Sequence, residues 1–294
     1  MSRRHENHHF IPAFLLRPWE RGDDSRLTTL AWRNGAIRIG RNRAKAVAKL
    51  AQLYTLHELP SDRRNIIEAR VLQKIDTDGA AVHSVFLAPG HPTLSAGDAV
   101  ACTRLVLSLV LRSPWMIEKY IEDAPRVLLE TIKKSAAAGE DPEDTFLELQ
   151  SRNPDLARSM TLQGRARLLP RGQSHAAMLG ATWTVVDVSS SPFDLVIADQ
   201  PVLRTGGFNE DYLFALPIAP TKLFLMHPEH STWPGRLGAL PTRELVMRVN
   251  RESATQAHTY LFATSGAQAR LAEAYLRVPQ ARQAAPSADR PKVN

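Results

Sequence analysis

An apolar stretch near the middle of the chain limits the folds that this sequence can adopt. Between Val100 and Leu111 the residues are apolar on nearly every side of a helix, and the most apolar run is VLSLVL. A helix of this kind is buried all round, so we predict that it lies at the centre of the core. The run is far shorter than the roughly 20 apolar residues that cross a bilayer, and we expect no membrane span.

Helical patterns lie on both sides of this stretch. Apolar residues recur at helical spacing, Ser61-Asp62 can cap one helix, and Pro114 should kink or break another just after Arg112. The predicted helices cover about residues 41–56, 61–87, 95 or 98 to 120, 124–137 and 142–158.

Strand patterns occur before and after these helices. LTTLAWRNGAIRIG, residues 27–40, places Asn34-Gly35 between two β-forming runs, which predicts a hairpin. From about residue 180, TWTVVDV and FDLVIAD indicate an antiparallel pair, YLFALPIAP and KLFLMHP two further strands, and TRELVMRVNRESA a helix. Strands and helices are thus segregated along the chain. The predicted fold class is α+β, with an N-terminal β-hairpin, a helical middle and a C-terminal antiparallel sheet with terminal helices.

We expect one domain over residues 5–278. Residues 279–294 are rich in Pro, Ala, Gln and charge without periodicity, which predicts a disordered tail. The single cysteine, Cys102, cannot form an internal disulfide, and the N-terminus lacks the apolar core of a signal peptide. We therefore expect a cytoplasmic protein.

Positive charge is concentrated at the N-terminal end. Residues 1–50 hold 11 Lys or Arg against 4 Asp or Glu, whereas the remaining residues are balanced at 26 each. A basic end can bind an anionic partner such as nucleic acid, and a solvated face without a partner is the alternative. The candidate nucleic-acid-binding residues are Arg33, Arg38, Arg41, Arg43 and Lys45.

The familiar catalytic signatures are missing from the sequence. It contains no Walker loop, GxGxxG, HExxH or CxxC motif. His5, His8 and His9 have the i, i+3, i+4 spacing with which a helix can hold a metal, so a divalent metal stays among the hypotheses. Solvated histidines near a chain end are the alternative.

Six short motifs follow one another along the chain. They are HHFIPAFLLRPW (8–19), LYTL (53–56), LRSPWM (111–116), IADQPVLR (197–204), LPIAPTKLF (216–224) and VNRESATQAHTYLFAT (249–264). In this order they resemble an uncharacterised bacterial family, number forty-two thirty-eight in the domain-of-unknown-function series. The resemblance implies no established activity. Ala198, Gln200 and Ala219 stand where the family pattern has Ser, Asn and Ser. The loss of two hydroxyl residues, at Ala198 and Ala219, leaves open that this member lacks part of the family's site.

The matched motifs contain four polar residues at the ends of predicted elements: His9, Arg112, Asp199 and Asn250. One interpretation is a catalytic pocket, with His9 as general base or metal ligand, Asp199 as ligand or orienting carboxylate, and Arg112 as an anion clamp. The other is structural. Arg112 and Asp199 would then form a buried ion pair, His9 would donate to a carbonyl, and Asn250 would join two backbone segments.

Three classes of function remain open from the sequence. The first is an enzyme acting on a phosphate-containing substrate such as nucleic acid, for example a metal-dependent hydrolase. The second is a non-catalytic binding or regulatory protein that uses its basic N-terminal hairpin and helix. The third is an interaction protein without an anionic partner. The sequence does not decide whether the protein is an enzyme or what its oligomeric state is.

Overall fold

The N-terminal strands and the C-terminal strands of this protein share a sheet. The structure is a computed structural model, and it describes residues 7–90, 94–136, 141–168, 173–207 and 210–276. The predicted tail, 279–294, lies outside these residues. The expected boundaries of a single domain, 5–278, stay a prediction.

The N-terminal region contains two antiparallel strand pairs. β1 (Asn7–His9) pairs with β4 (Lys49–Ala51), and a short helix α1 (Ala13–Leu16) follows β1. β2 (Leu27–Arg33) and β3 (Ala36–Asn42) form the predicted hairpin. Its turn residues Asn34 and Gly35 have φ of 51° and 77°, the left-handed conformation that a tight hairpin turn requires.

The helix predicted over residues 41–56 is wrong. The segment instead contains a 3₁₀ turn, Ala44–Ala46, followed by strand β4. The carbonyl of Ala48 accepts hydrogen bonds from the amides of Phe10 and Ile11, at 2.9 and 3.5 Å. Pairing with the N-terminal segment therefore overrides the helical spacing of the alanines.

The middle of the chain is helical, as predicted. A π-helical turn, Ile67–Leu72, runs directly into helix α2. The break after Arg112 is present, because Ser113 caps the next helix and Pro114 begins it. Residues 124–135 continue that helix through Pro125 and are not a separate element. The helices are α2 (Gln73–Leu87), α3 (Ala96–Leu111), α4 (Pro114–Ser135), α5 (Pro142–Arg152), α6 (Leu156–Leu168) and α7 (Gln173–Leu179).

The C-terminal region forms most of the sheet structure. All strand pairs are antiparallel, and the two larger sheets have the strand orders β5-β9-β8-β7 and β3-β2-β10-β6. The elements are β5 (Thr182–Asp187), β6 (Ile197–Ala198), β7 (Leu203–Thr205), β8 (Leu213–Ala219), β9 (Lys222–His227), α8 (Trp233–Gly238), α9 (Thr242–Gln256), β10 (Tyr260–Ala263) and α10 (Ala269–Tyr275).

The antiparallel pair predicted for TWTVVDV and FDLVIAD does not form. β5 pairs with β9, whereas β6 pairs with β10 in the other sheet. The amides of Val188 and Leu195 donate to the carbonyls of Thr221 and Pro220, both at 2.8 Å. These bonds hold the connecting loop across the β8–β9 turn, so the chain leaves one sheet and enters the other.

The predicted central helix α3 is buried, with Leu105, Val106 and Leu109 all at most 4% exposed. Helix α2 packs closely on it, since a Cβ added to Gly79 would lie 3.1 Å from the Leu105 side chain. These observations confirm the α+β class. No single helix among the described residues is long and apolar enough to cross a membrane, while one bent pair, α3 and α4 at 68°, passes by length and composition.

Candidate functional site

An open cleft of about 810 Å³ lies between the N-terminal strand β1 and the start of helix α2. Its walls come from three segments, residues 7–9, 12–17 and 65–80, and we call it the His cleft. Ile11, Leu15 and Leu16 are fully buried and form an apolar anchor directly after the histidines. The anchor fixes one wall of the cleft to the core.

His8 is held in a single orientation by Tyr54. The backbone amide of Tyr54 donates to His8 Nδ1 at 3.0 Å, and the two rings stack with centroids 5.5 Å apart. An amide only donates, so Nδ1 carries no proton and the neutral ring bears it on Nε2. Nε2 is buried with no hydrogen-bond partner among the described residues. The pKa of His8 is lowered to about 4, mainly by burial, and the charge of neighbouring His9 lowers it further.

His9 makes its hydrogen bond through Nε2, whereas His8 makes its bond through Nδ1. Nε2 of His9 lies 3.3 Å from the carbonyl oxygen of Lys45, which can only accept. Nε2 therefore carries the proton in the neutral ring, and the lone pair is on Nδ1. Burial is the largest influence on His9 and lowers its pKa, although the bond to Lys45 opposes it. The contact with a carbonyl was the structural prediction for His9, yet it also leaves Nδ1 as a base.

Glu68 lies on the π-helical turn and lines the same cleft. Such turns inside α-helices are frequent at functional sites. Glu68 Oε2 is buried and has no hydrogen-bond partner in the described part of the chain. Burial raises the pKa of Glu68 to about 7, with the charge of Arg112 acting against this shift and that of Asp76 adding to it. Glu68 can therefore gain or lose a proton near neutral pH.

Arg112 lies behind the wall of the cleft and not in it. Its side chain is 2% exposed, and Nη1 donates to Asp76 Oδ1 at 2.8 Å. The backbone carbonyl of Arg112 accepts from the Tyr54 hydroxyl at 2.8 Å. The partner predicted from the sequence was Asp199. Asp76 takes this place because α2 packs against α3 at the end where Arg112 follows α3.

Asp199 lies at the end of strand β6 and serves the backbone of the neighbouring segment. Oδ1 accepts from the amide of His258 at 2.8 Å, and Oδ2 accepts from those of Thr259 and Tyr260 at 2.6 and 3.0 Å. Complete burial raises the pKa of Asp199 to about 6, and these amide donors act in the opposite direction. Asp199 does not line the His cleft.

Asn250 joins two parts of the backbone, which is the structural role that one of the two sequence-based interpretations predicted. Its Oδ1 accepts from the amide of Val196 and its Nδ2 donates to the carbonyl of Asp194, both at 2.9 Å. The structure therefore brings His9 and Arg112 to the two sides of one cleft wall. It places Asp199 and Asn250 beside strand β6, outside the cleft lining.

Sequence reasoning missed two groups of this site, Glu68 and Asp76. It considered His8 only as a possible metal ligand. Glu68 and Asp76 fall within one predicted helix and are eight residues apart, close to two turns, so they share a face. That spacing was the available signal. The π-helical turn that carries Glu68 has no sequence signature that we recognise.

The five basic candidates differ in their contacts, although all are exposed. Arg33 donates to the Tyr260 hydroxyl at 2.6 Å, and Arg41 pairs with Asp24 at 2.8 Å. The side chains of Arg38, Arg43 and Lys45 make no ion pair with any described residue. We call residues 38–45 the basic segment. It adjoins the His cleft, because the carbonyl of Lys45 contacts His9.

The metal hypothesis finds no ligand cluster in the described residues. These contain no group of three or more His, Cys, Asp or Glu that could hold a metal ion. His8 and His9 lie on a strand, so the helical spacing on which the metal hypothesis was based does not apply to them. His5, the third residue of that set, lies outside the described residues.

A comparison with protein families agrees with the resemblance found in the motifs. The family model described as "Protein of unknown function (DUF4238)" matches residues 7–267, a range that includes the His cleft and both larger sheets. No curated protein and no solved structure matches the chain. The match covers far more than half of the sequence, and the chain belongs to the DUF4238 family.

Proposed function

We propose that the protein is an enzyme that carries out general acid–base chemistry in the His cleft on a phosphate-containing substrate. One observation carries this proposal. Glu68, a carboxylic acid whose buried oxygen has no hydrogen-bond partner among the described residues, shares a cleft with two imidazoles that hold their protons on defined nitrogens. Acid–base catalysis requires one group that holds a proton it can donate and another that has a free lone pair to accept one.

The geometry supports a distinct role for each group. With water as nucleophile, His9 Nδ1 takes a proton from the water as its oxygen bonds to the substrate. The leaving group keeps the electron pair of the broken bond and takes the proton of Glu68. His8 stays neutral, and its Nε2–H can donate to an oxygen on which negative charge develops. The reaction is then a hydrolysis.

The preference for a phosphate-containing substrate comes from charge. The basic segment, which carries part of the excess of positive charge in residues 1–50, adjoins the cleft through the contact between the Lys45 carbonyl and His9. Exposed cations raise the local concentration of an anionic substrate. A cytoplasmic location, expected from the single cysteine, would bring the protein into contact with nucleic acid and nucleotides.

Replacing Glu68 with glutamine should lower the rate of turnover about 100-fold, because the variant keeps the shape but not the acidic proton. RNA, DNA, nucleotides and glycerol phosphate would be incubated with and without magnesium or manganese, with all products separated by mass. In the wild type the rate should fall as pH rises through about 7, where Glu68 loses its proton. The Glu68→Gln variant should not show this fall in rate with rising pH.

Glu122→Gln is the matched control, since Glu122 is exposed on α4 far along the chain from the cleft residues. It should keep the wild-type rate. Equal turnover in the wild type and Glu68→Gln would remove Glu68 from the chemistry. If the wild type converts none of these substrates, the proposal of an enzyme for this substrate class is overturned.

Binding without turnover is the second candidate function. It is favoured by the exposed side chains of Arg38, Arg43 and Lys45, which make no ion pair within the described part of the chain. Reversing these three charges to glutamate should weaken binding to single-stranded RNA and reduce its salt dependence, because fewer counterions are released. Fluorescence anisotropy over a salt series measures both. The same reversals at exposed Arg126, Arg243 and Arg270 provide the control. Unchanged affinity in the first variant would exclude the basic segment as a binding surface.

A further inference from the structure

We infer that the His cleft takes the nucleobase of the substrate, while the phosphate groups lie outside it on the basic segment. This inference rests on the proposed function, which supplies a phosphate-containing substrate, and names the part of that substrate that enters the cleft. Three independent features of the cleft support it: its charge, its hydrogen-bonding groups and its apolar surface.

The described residues that line the cleft carry no excess of positive charge to hold a phosphate. Arg17 is the permanent cation among the described residues that line it, and Asp76 lines it as an anion. Arg112, the expected anion clamp, lies outside the lining and is already paired with Asp76. A phosphate inside would also face Glu68 whenever that carboxyl is ionised. Like charges this close oppose binding, so phosphate is better placed on the basic segment.

The hydrogen-bonding groups of the cleft both donate and accept. His9 Nδ1 can accept, protonated Glu68 can both donate and accept, and the buried His8 Nε2–H is a donor with no acceptor among the described residues. The exposed amide of Gln73 adds a further donor and acceptor at the rim. A phosphate offers acceptors, whereas the edge of a nucleobase presents donors and acceptors side by side. The cleft thus complements a base edge better than a phosphate.

Part of the cleft surface is apolar and includes an aromatic ring. Phe14 is half-buried in the wall, where its ring lies against the buried His83 at 5.4 Å between centroids. Pro12 and Ala80 lie on the same lining. The volume of about 810 Å³ is within the usual range for small-molecule sites. An aromatic face beside mixed polar groups is the surface on which a base stacks.

The test is equilibrium binding measured by calorimetry. The probes are the four ribonucleosides, their 5′-monophosphates, ribose 5-phosphate and inorganic phosphate. At least one nucleoside should bind, and its monophosphate should bind more tightly, whereas ribose 5-phosphate and inorganic phosphate should not bind at the same concentrations. Gln73→Ala should weaken nucleoside binding, and Phe14→Leu should weaken it about 10-fold through loss of stacking. Because Gln73 is exposed, its variant should fold normally.

Charge reversal at Arg43 and Lys45 should reduce the affinity of the monophosphate to that of the nucleoside and leave the nucleoside unaffected. Binding of ribose 5-phosphate or inorganic phosphate without any nucleoside would overturn the inference. Turnover of glycerol phosphate that is lost in Glu68→Gln, without nucleoside binding, would also overturn it and leave the proposed enzyme standing. Nucleoside binding without turnover of any substrate would overturn the enzyme and support the base site.

Discussion

Replacing Asp199 with alanine is expected to lower the free energy of unfolding by about 3 to 5 kcal/mol, because the change leaves three partly buried amide donors without their acceptor. The carboxylate accepts the amides of His258, Thr259 and Tyr260, at the start of strand β10. That strand joins β6 to the N-terminal hairpin. Loss of these bonds therefore loosens the sheet that connects the two ends of the chain. Urea unfolding followed by circular dichroism measures the effect.

Asp199→Asn separates the acceptor role from the charge. Asparagine keeps one oxygen for the three amides, so we expect a loss between those of the wild type and Asp199→Ala. Asp62→Ala replaces an exposed aspartate and should leave the free energy of unfolding almost unchanged. If Asp199→Ala keeps wild-type stability but loses turnover, the carboxylate acts in catalysis and our structural account of it fails.

Local signals predicted the parts of the fold that depend on neighbouring residues. Asn34-Gly35 predicted the hairpin turn because these residues tolerate the positive φ values that the turn requires. Pro114 predicted the break after Arg112 because proline disfavours a helical conformation in the preceding residue. The all-round apolar pattern likewise identified α3 as the buried helix. Such features arise from backbone sterics and periodicity, and both are visible in one sequence.

Features that depend on distant contacts were not predictable in this way. Residues 41–56 carry a helical spacing, yet the segment is held open by hydrogen bonds to Phe10 and Ile11, more than 30 residues earlier. The partner of β5 was missed for the same reason, since the loop after it is fastened to the β8–β9 turn. Pairing over such distances is decided by the whole fold.

The candidate site shows the same division. Motif positions and polarity identified His9 and Arg112, and both lie at the wall of the His cleft. Their partners could not be identified. His8 gains its role from the amide of Tyr54, and Glu68 gains its role from a π-helical turn and from burial. Each of these depends on three-dimensional contacts that leave no spacing rule in the sequence.

The second large loss of stability is expected from breaking the ion pair between Asp76 and Arg112. Asp76→Ala should cost about 3 to 5 kcal/mol, because it leaves a buried guanidinium without its counterion. Arg112→Met should cost less, since Asp76 is 25% exposed and water can hydrate it, whereas Arg112 is 2% exposed. Arginine cannot lose its proton to escape the cost. Denaturant unfolding of both variants measures the difference.

A double-mutant cycle tests whether Asp76 or the sequence-predicted Asp199 is the partner of Arg112. The double variant Asp76→Ala/Arg112→Met should be more stable than the sum of the two single changes indicates, because it removes both charges together. Combining Asp199→Ala with Arg112→Met should be additive, since the two side chains share no contact. Coupling in the second cycle and none in the first would reverse this assignment.

In Asp76→Ala the pKa of Glu68 should fall, because the change removes a neighbouring negative charge and leaves the opposing charge of Arg112 without its counterion. The pH at which the turnover rate falls should then move below 7. A pH–rate profile of Asp76→Ala measures this shift and tests whether the buried ion pair influences the chemistry of the cleft.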